Sequence, residues 1–247
     1  MSVTLTRTDG VAHLVLDRPD KGNALNVELS GDIRSALEEA AEHPGVLVIE
    51  SSTPGTFVSG ADIADLRRRT RVEALARLNH NLFLAIEEYP WPTVAVVDGP
   101  ALGGGCELAL ACDMRVTTTR STWGLPEVTL GIIPSAGGMH RLPRIVGWGV
   151  ASELILSGRR IDGVEAHRIG MANRVCDVDD LDRVVADLLR DLGRASSTAT
   201  RYAKEAMRAP ADRSRVADAA LQALCFESED ARQRLDAFLE RRARSRA

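Results

Sequence analysis

The sequence has almost no lysine. Across 247 residues only Lys21 and Lys204 occur, so arginine supplies nearly all of the positive charge. That bias runs the length of the chain, so a run such as Arg67-Arg68-Arg69 reads as a solvated helix face and not as a ligand site. The net charge of −4 offers no electrostatic footprint for nucleic acid. Cysteine is sparse too. Cys106, Cys112, Cys176 and Cys225 make no CxxC pair and no metal-ligand spacing with the five histidines, which argues against a metal centre. No apolar run reaches the length of a membrane span. The opening stretch MSVTLTRTDGVAHLVLD lacks a basic region ahead of a long apolar core, so no signal peptide is expected. These absences together predict a reduced, cytoplasmic protein without membrane association. Two nucleotide motifs are missing as well. No Gly-Lys-Ser/Thr of a P-loop occurs, and GGGCEL lacks the third glycine of a dinucleotide fingerprint.

What is present is an alternation of short strands and helices. VAHLVLD reads as a strand and RPDKGNALN as a loop. Asn26 opens an amphipathic helix stopped by Pro44-Gly45, and VLVIESS is a β-branched run typical of a strand buried on both faces. TPGTFVSGADI reads as a loop, and Asp62 with Asp65 resembles a capping box for a following helix. The following segment carries Leu75, Leu78, Leu82 and Ile86 at helical spacing and ends at Tyr89-Pro90. TVAVV, MRVTTT and a short stretch near ANRVCD read as further strands. The pattern predicts an α/β class with a parallel sheet. From about Asp179 it turns purely helical, which predicts a core over residues 1–190 and a helical C-terminal subdomain over 191–247, packed on the core or on a neighbouring subunit.

The stretch ALGGGCELALACD concentrates the chemistry. Three glycines run from a strand into a helix, and Glu107 stands alone among apolar residues, where an ionised carboxylate is costly to bury. A strand, a tight glycine turn and a helix N-terminus leave backbone N–H groups unpaired. Such donors suit an anion, including the transient oxyanion of a thioester enolate. The competing reading is a plain turn with Glu107 favoured by the helix dipole. Glu127, in WGLPEVTLG, is a second acid in apolar surroundings; two such acids suggest a general acid/base pair. FVSGADI adds a second strand-loop-helix junction able to supply an amide. Two amides facing two carboxylates make a site for chemistry α to a carbonyl.

Five blocks, DRPDKGNALN, FVSGADI, VVDGPALGGGCELALACD, WGLPEVTLGIIPSAGG and LSGRRIDGVEAHRIGMANRV, together resemble the enoyl-CoA hydratase/isomerase (crotonase) superfamily over nearly the whole chain. The resemblance implies a spiral of ββα repeats and C-terminal helices that build trimers, often paired as hexamers. It implies an oxyanion hole at the N–H groups of Ala61 and Gly104, with Glu107 and Glu127 as the catalytic acids. It places coenzyme A against Lys21, Ala24, Asp62, Ile63 and Phe238. The substrate it implies is an acyl-CoA thioester, with no separate cofactor and no metal. Having both acids favours hydration of a 2-enoyl-CoA over the Δ3,Δ2-isomerisation that needs one. Ser135 replaces a glycine common in the family, Met139 and His140 stand in an altered GGMHRLPR, and the Glu-Gly pair usual before the last helix is missing.

Two remoter readings stand beside this. Clp-type serine peptidases use the same spiral, with Ser135 and His140 as conceivable nucleophile and base, although PSAGG is no GxSxG elbow. A non-catalytic CoA-ester binder would have little use for both acids. His13, His43, His80 and His167 read as structural or exposed, and Asp113 as a helix-terminus residue. The acyl group is not spelled out; the helix from about Leu66 to Leu82 and the segment around Trp123 are the expected pocket walls.

Overall fold

The structure is a computed structural model that describes residues 2–68, 70–208 and 214–244, the side chains of 214–219, 238, 239 and 241–244 excepted. Its strands are β1 (Val3–Thr8), β2 (Val11–Leu16), β3 (Val46–Ser51), β4 (Thr93–Val97), β5 (Pro100–Leu102), β6 (Met114–Thr118), β7 (Thr122–Gly124), β8 (Ile161–Asp162) and β9 (Arg174–Cys176). The helices before the glycine turn are α1 (Val27–Ala40), α2 (Ile63–Arg68), α3 (Arg71–Leu75) and α4 (Leu78–Glu87). After it come α5 (Gly104–Ala111), α6 (Gly138–Val146), α7 (Trp148–Ser157) and α8 (Gly163–Arg168), then α9 (Leu181–Gly193), α10 (Ser197–Arg208), α11 (Ser214–Glu227) and α12 (Glu229–Arg244).

Six strands form one sheet in the order β1-β2-β3-β4-β6-β9, parallel except for the β1–β2 hairpin. A second, three-stranded sheet runs β5-β7-β8. Strand alternation divides the interior in two. Leu47, Ile49, Ala95 and Val97 face a large core shared with Leu29 and Ile33 of α1, Phe83 of α4 and Leu108 of α5. Val46, Val48, Val94, Val96 and Val116 face the other way, onto Leu188 of α9. The near-continuous apolar runs read from β3 and β4 are thus strands covered on both faces.

Past α9 the elements among the described residues are all helices, and the boundary expected near residue 190 falls inside α9 itself. The next helix, α10, is fastened to the sheet through the scarce lysine. Lys204 is 5% exposed; its Nζ donates to the Trp91 carbonyl at 3.0 Å and lies 2.7 Å from Asp113 Oδ2. Asp113 also accepts from the Thr93 N–H and hydroxyl, so it ties β4 to α10 as well as ending α5.

One expected element is broken. The apolar spacing from Leu75 to Ile86 predicts a single helix, but α2, α3 and α4 are separate pieces. A capping box of Thr70 and Glu73 starts α3, and Arg77 takes the left-handed conformation (φ 55°) before α4 begins. Leu75 ends up 69% exposed, while Leu82 and Ile86 enter the core. The Asp62–Asp65 box forms by half: Asp62 Oδ1 accepts from the Ala64 N–H, and Asp65 pairs with Arg68. Strands β5 and β7, three residues each, lie in segments whose composition reads as turn and loop. Among the described residues no helix is long and apolar enough to cross a membrane.

Candidate active site

The site grows from three crossings of backbone held at contact distance. The segment 58–62 runs beside β5, where Val58 N–H donates to the Pro100 carbonyl and Leu102 N–H to the Val58 carbonyl. On its other side Leu25 N–H donates to Gly60 and Asp62 N–H to Leu25. Helix α5 then packs directly over this segment. A Cβ at Gly105 would meet the Val58 carbonyl oxygen at 2.1 Å, so only glycine admits that approach. Gly103, at φ 51° and ψ −122°, makes the turn into the helix, and its N–H donates to the Gly124 carbonyl of β7.

This packing leaves two amides unclaimed. Among the described residues, neither the Ala61 nor the Gly104 N–H donates to any protein acceptor. They are neighbours: a Cβ on Gly104 would sit 4.0 Å from the Ala61 nitrogen. Two free donors from separate strand-to-helix junctions, converging on one spot, are what a developing oxyanion requires.

Both carboxylates stand at the same turn. Glu107, on the first turn of α5, is 3% exposed, and its Oε1 accepts from the N–H groups of Ala136 (2.8 Å) and Gly138 (2.9 Å). Burial pushes this carboxyl up to about 7; repulsion from Glu127 adds to that, while the two N–H donors oppose it. Glu127 projects from a 3₁₀ turn, Pro126–Leu130, and packs against Gly103, where a Cβ would come within 3.0 Å of its Oε1. Burial raises it also, and its Oε2 is enclosed without a hydrogen-bond partner. A carboxyl oxygen shut away from water and left unpaired is a place for a proton, a water or a substrate atom.

Lys21 and Ala24 lie on the loop hydrogen-bonded along the segment 59–62, which leads into Asp62 and Ile63. The link between them is Arg18, which the sequence reading passed over: it donates to the Ala24 carbonyl at 2.7 Å and to Asp62 Oδ2 at 3.3 Å. Asn23 fixes the loop from beneath, in a left-handed conformation, by donating to Ser51 Oγ and the Phe57 carbonyl. Lys21 and Ile63 are exposed, as residues facing a large ligand need to be. Phe238 falls on α12, with its side chain outside the described residues. Arg141 is the other residue missed; it carries the loop that binds Glu107. Ser135 is exposed and makes no hydrogen bond to His140, so the peptidase arrangement is not formed. No group of three His, Cys, Asp or Glu among the described residues is placed to hold a metal ion.

The sequence profile described as Enoyl-CoA hydratase/isomerase matches residues 6–245. The chain belongs to that family. It is 36% identical to the crotonyl-CoA hydratase of Syntrophomonas wolfei over 98% of this chain and 96% of that one. It is likewise 36% identical to an enoyl-CoA isomerase/hydratase of Mycosarcoma maydis, over 94% of this chain and 91% of the relative. Among solved structures, the enoyl-CoA hydratase of Bacillus anthracis superposes with a TM-score of 0.92 at 29% identity, covering 98% of this chain and 97% of that one. The architecture is accordingly the crotonase fold of an enoyl-CoA hydratase/isomerase family member, with a helical C-terminal region.

Proposed function

We propose that this family member adds water across the 2,3 double bond of a 2-enoyl-CoA thioester. The observation that carries the reading is the pairing of buried Glu107 and half-buried Glu127, both shifted toward the protonated form, with two unclaimed amides in the same turn. The Ala61 and Gly104 N–H groups receive the thioester oxygen and stabilise the enolate; losing one such donor costs about 100- to 1000-fold in rate. Glu107, its Oε1 already committed to two amides, takes a proton from water at Oε2 as the hydroxyl joins C3. Glu127 delivers a proton to C2 from its unpaired oxygen. With the Glu107 carboxyl near 7, an acid and a base coexist in one site around neutral pH.

Lys21, Ala24, Asp62 and Ile63 hold the coenzyme A portion in this reading, with Arg18 bracing them, and Phe238 approaches it from a neighbouring subunit of a trimer or hexamer. The cysteines, unpaired in the structure, suit a reducing compartment such as the cytoplasm. Glu107→Gln and Glu127→Gln should each abolish crotonyl-CoA hydration while the CoA ester still binds. Near-native turnover by either variant would overturn the two-acid assignment.

A second reading, Δ3,Δ2-isomerisation, draws on the unpaired Glu127 oxygen, since one carboxyl suffices to carry a proton between carbons. Under it Glu107→Gln keeps 3-enoyl-CoA consumption and only Glu127→Gln loses it.

A further inference from the structure

Arg141 lies on α6, behind the turn that grips Glu107, and is only 8% exposed. Its Nη1 donates to the Ala136 carbonyl at 2.9 Å. The same Ala136 gives its N–H to Glu107 Oε1, as does Gly138 two residues on. Between them Gly137, at φ 112°, lies flat against the guanidinium, where a Cβ would come within 2.0 Å of Nη1. The other side of the guanidinium is anchored on α4: Nε and Nη2 both donate to Glu87 Oε2, at 2.9 and 2.6 Å. One side chain thereby connects the end of α4 to the peptide units that orient a carboxylate on α5.

We propose that Arg141, braced by Glu87, is a positioning residue for the reaction: it holds the 136–138 turn so that two N–H groups meet Glu107, and its charge lowers the pH range over which Glu107 works as a base. This rests on the hydratase reading above. Arg141 is not a catalytic residue, because it touches neither the substrate space nor a reacting atom.

The charges around it fix the direction of the effect. Arg141 faces Glu87 and His80 from α4 and Glu107 from α5; His140, on its own helix, also faces His80. Glu127 reaches Glu107 from the 3₁₀ turn. The cation draws the Glu107 carboxyl down, against burial and against Glu127. Glu87, as the counter-charge, moderates that pull. Removing Arg141 must raise the protonation range of Glu107, whereas removing only the charge of Glu87 must lower it. A merely structural ion pair predicts something else, since either change breaks the same contact and both variants would move together.

The test compares Arg141→Gln and Glu87→Gln. For Arg141→Gln the acid limb of kcat/KM for crotonyl-CoA should rise by about half a pH unit, and kcat should fall about 10- to 100-fold from the loosened base, with KM little changed. For Glu87→Gln the acid limb should fall. Infrared difference spectra against Glu107→Gln read the protonated carboxyl of Glu107 with no substrate present, so the prediction stands or fails even if crotonyl-CoA is not turned over. Opposite shifts in the two variants bear the proposal out. Shifts in the same direction, or none in a folded Arg141→Gln, overturn it. If Arg141→Gln does not fold, Glu87→Gln decides alone: a downward shift supports the assignment, and an unmoved or upward one ends it.

Discussion

The two junctions that supply the unclaimed amides are built to opposite specifications. Around Gly104 every residue of α5 is buried; Gly105 meets the Val58 carbonyl at a distance no other residue allows, and Gly103 turns the chain at a positive φ of 51°. Around Ala61 the chain leaves the same spot into α2, α3 and α4, where Ile63, Val72 and Leu75 are each more than 60% exposed and the helix is interrupted twice. The first junction has interior packing and admits almost no displacement. The second has one fixed segment, 58–62, held by isolated bridges to Ala101 and Leu25 and followed by a wall with little packed against it. In the hydration reading proposed above, the rigid junction would hold the reacting carbonyl and the exposed wall would meet the acyl group.

The sharpest way to break the rigid side is Gly105→Ala. In an exposed helix this exchange stabilises by about 0.5–1 kcal/mol. At Gly105 the new methyl would strike the Val58 carbonyl, which is itself hydrogen-bonded to Leu102. Segment 58–61 has to move, and the Ala61 amide with it. The expected result is a loss of crotonyl-CoA hydration of about 100-fold or more, with destabilisation of about 1–3 kcal/mol. Gly31→Ala on α1, where a Cβ meets nothing within 4 Å, is the matched control and should raise Tm slightly. If both variants behave alike, the contrast between the two junctions has no energetic basis.

How far the sequence revealed this depends on the residue. Glu107 and Glu127 were legible because an isolated acid in an apolar run is conspicuous, and the glycine triplet marked the turn that frees an amide. Arg141 and Arg18 were not. In a chain where arginine carries nearly all the positive charge, nothing separates a buried, hydrogen-bonded arginine from a solvated one until the fold brings Glu87 or Asp62 to it. Lys204 offered a faint signal through the scarcity of lysine, but its partners lie 91 and 113 positions away in the chain. The break at Arg77 was illegible for a different reason: leucines at helical spacing do not tell which of them meet the core, and Leu75 meets water.

A second test uses the energetic cost of the rigid side. A carboxyl that titrates near 7 in the folded protein and near 4.5 in the unfolded chain makes no demand on stability below 4.5. As pH rises through 7 the folded state must either hold a proton against solution or bury a charge, and stability is lost across that window. The full penalty is about 3 kcal/mol. Glu107→Gln keeps an oxygen to accept from Ala136 and Gly138 and removes the charge. Its Tm should exceed that of the parent protein at pH 8, and the gap should close as pH falls toward 4.5. A gap that widens at low pH would mean that Glu107 is held ionised, and that the base is not poised near neutrality.

The smallest effect belongs to the adaptable side. Leu75→Ser removes an apolar side chain that is mostly in water, so the fold should change by no more than about 0.5 kcal/mol. Crotonyl-CoA turnover should stay within about twofold, because a four-carbon chain leaves most of this wall uncovered while each further methylene laid on apolar surface contributes about 0.8 kcal/mol. The change in kcat/KM should therefore grow with acyl length across a panel of 2-enoyl-CoA esters. An equal loss at every length would assign Leu75 to the rigid frame after all. No loss at any length would move the acyl wall elsewhere, with the segment around Trp123 next to be tested. Either result redraws the line between the two junctions without touching the amides that both of them supply.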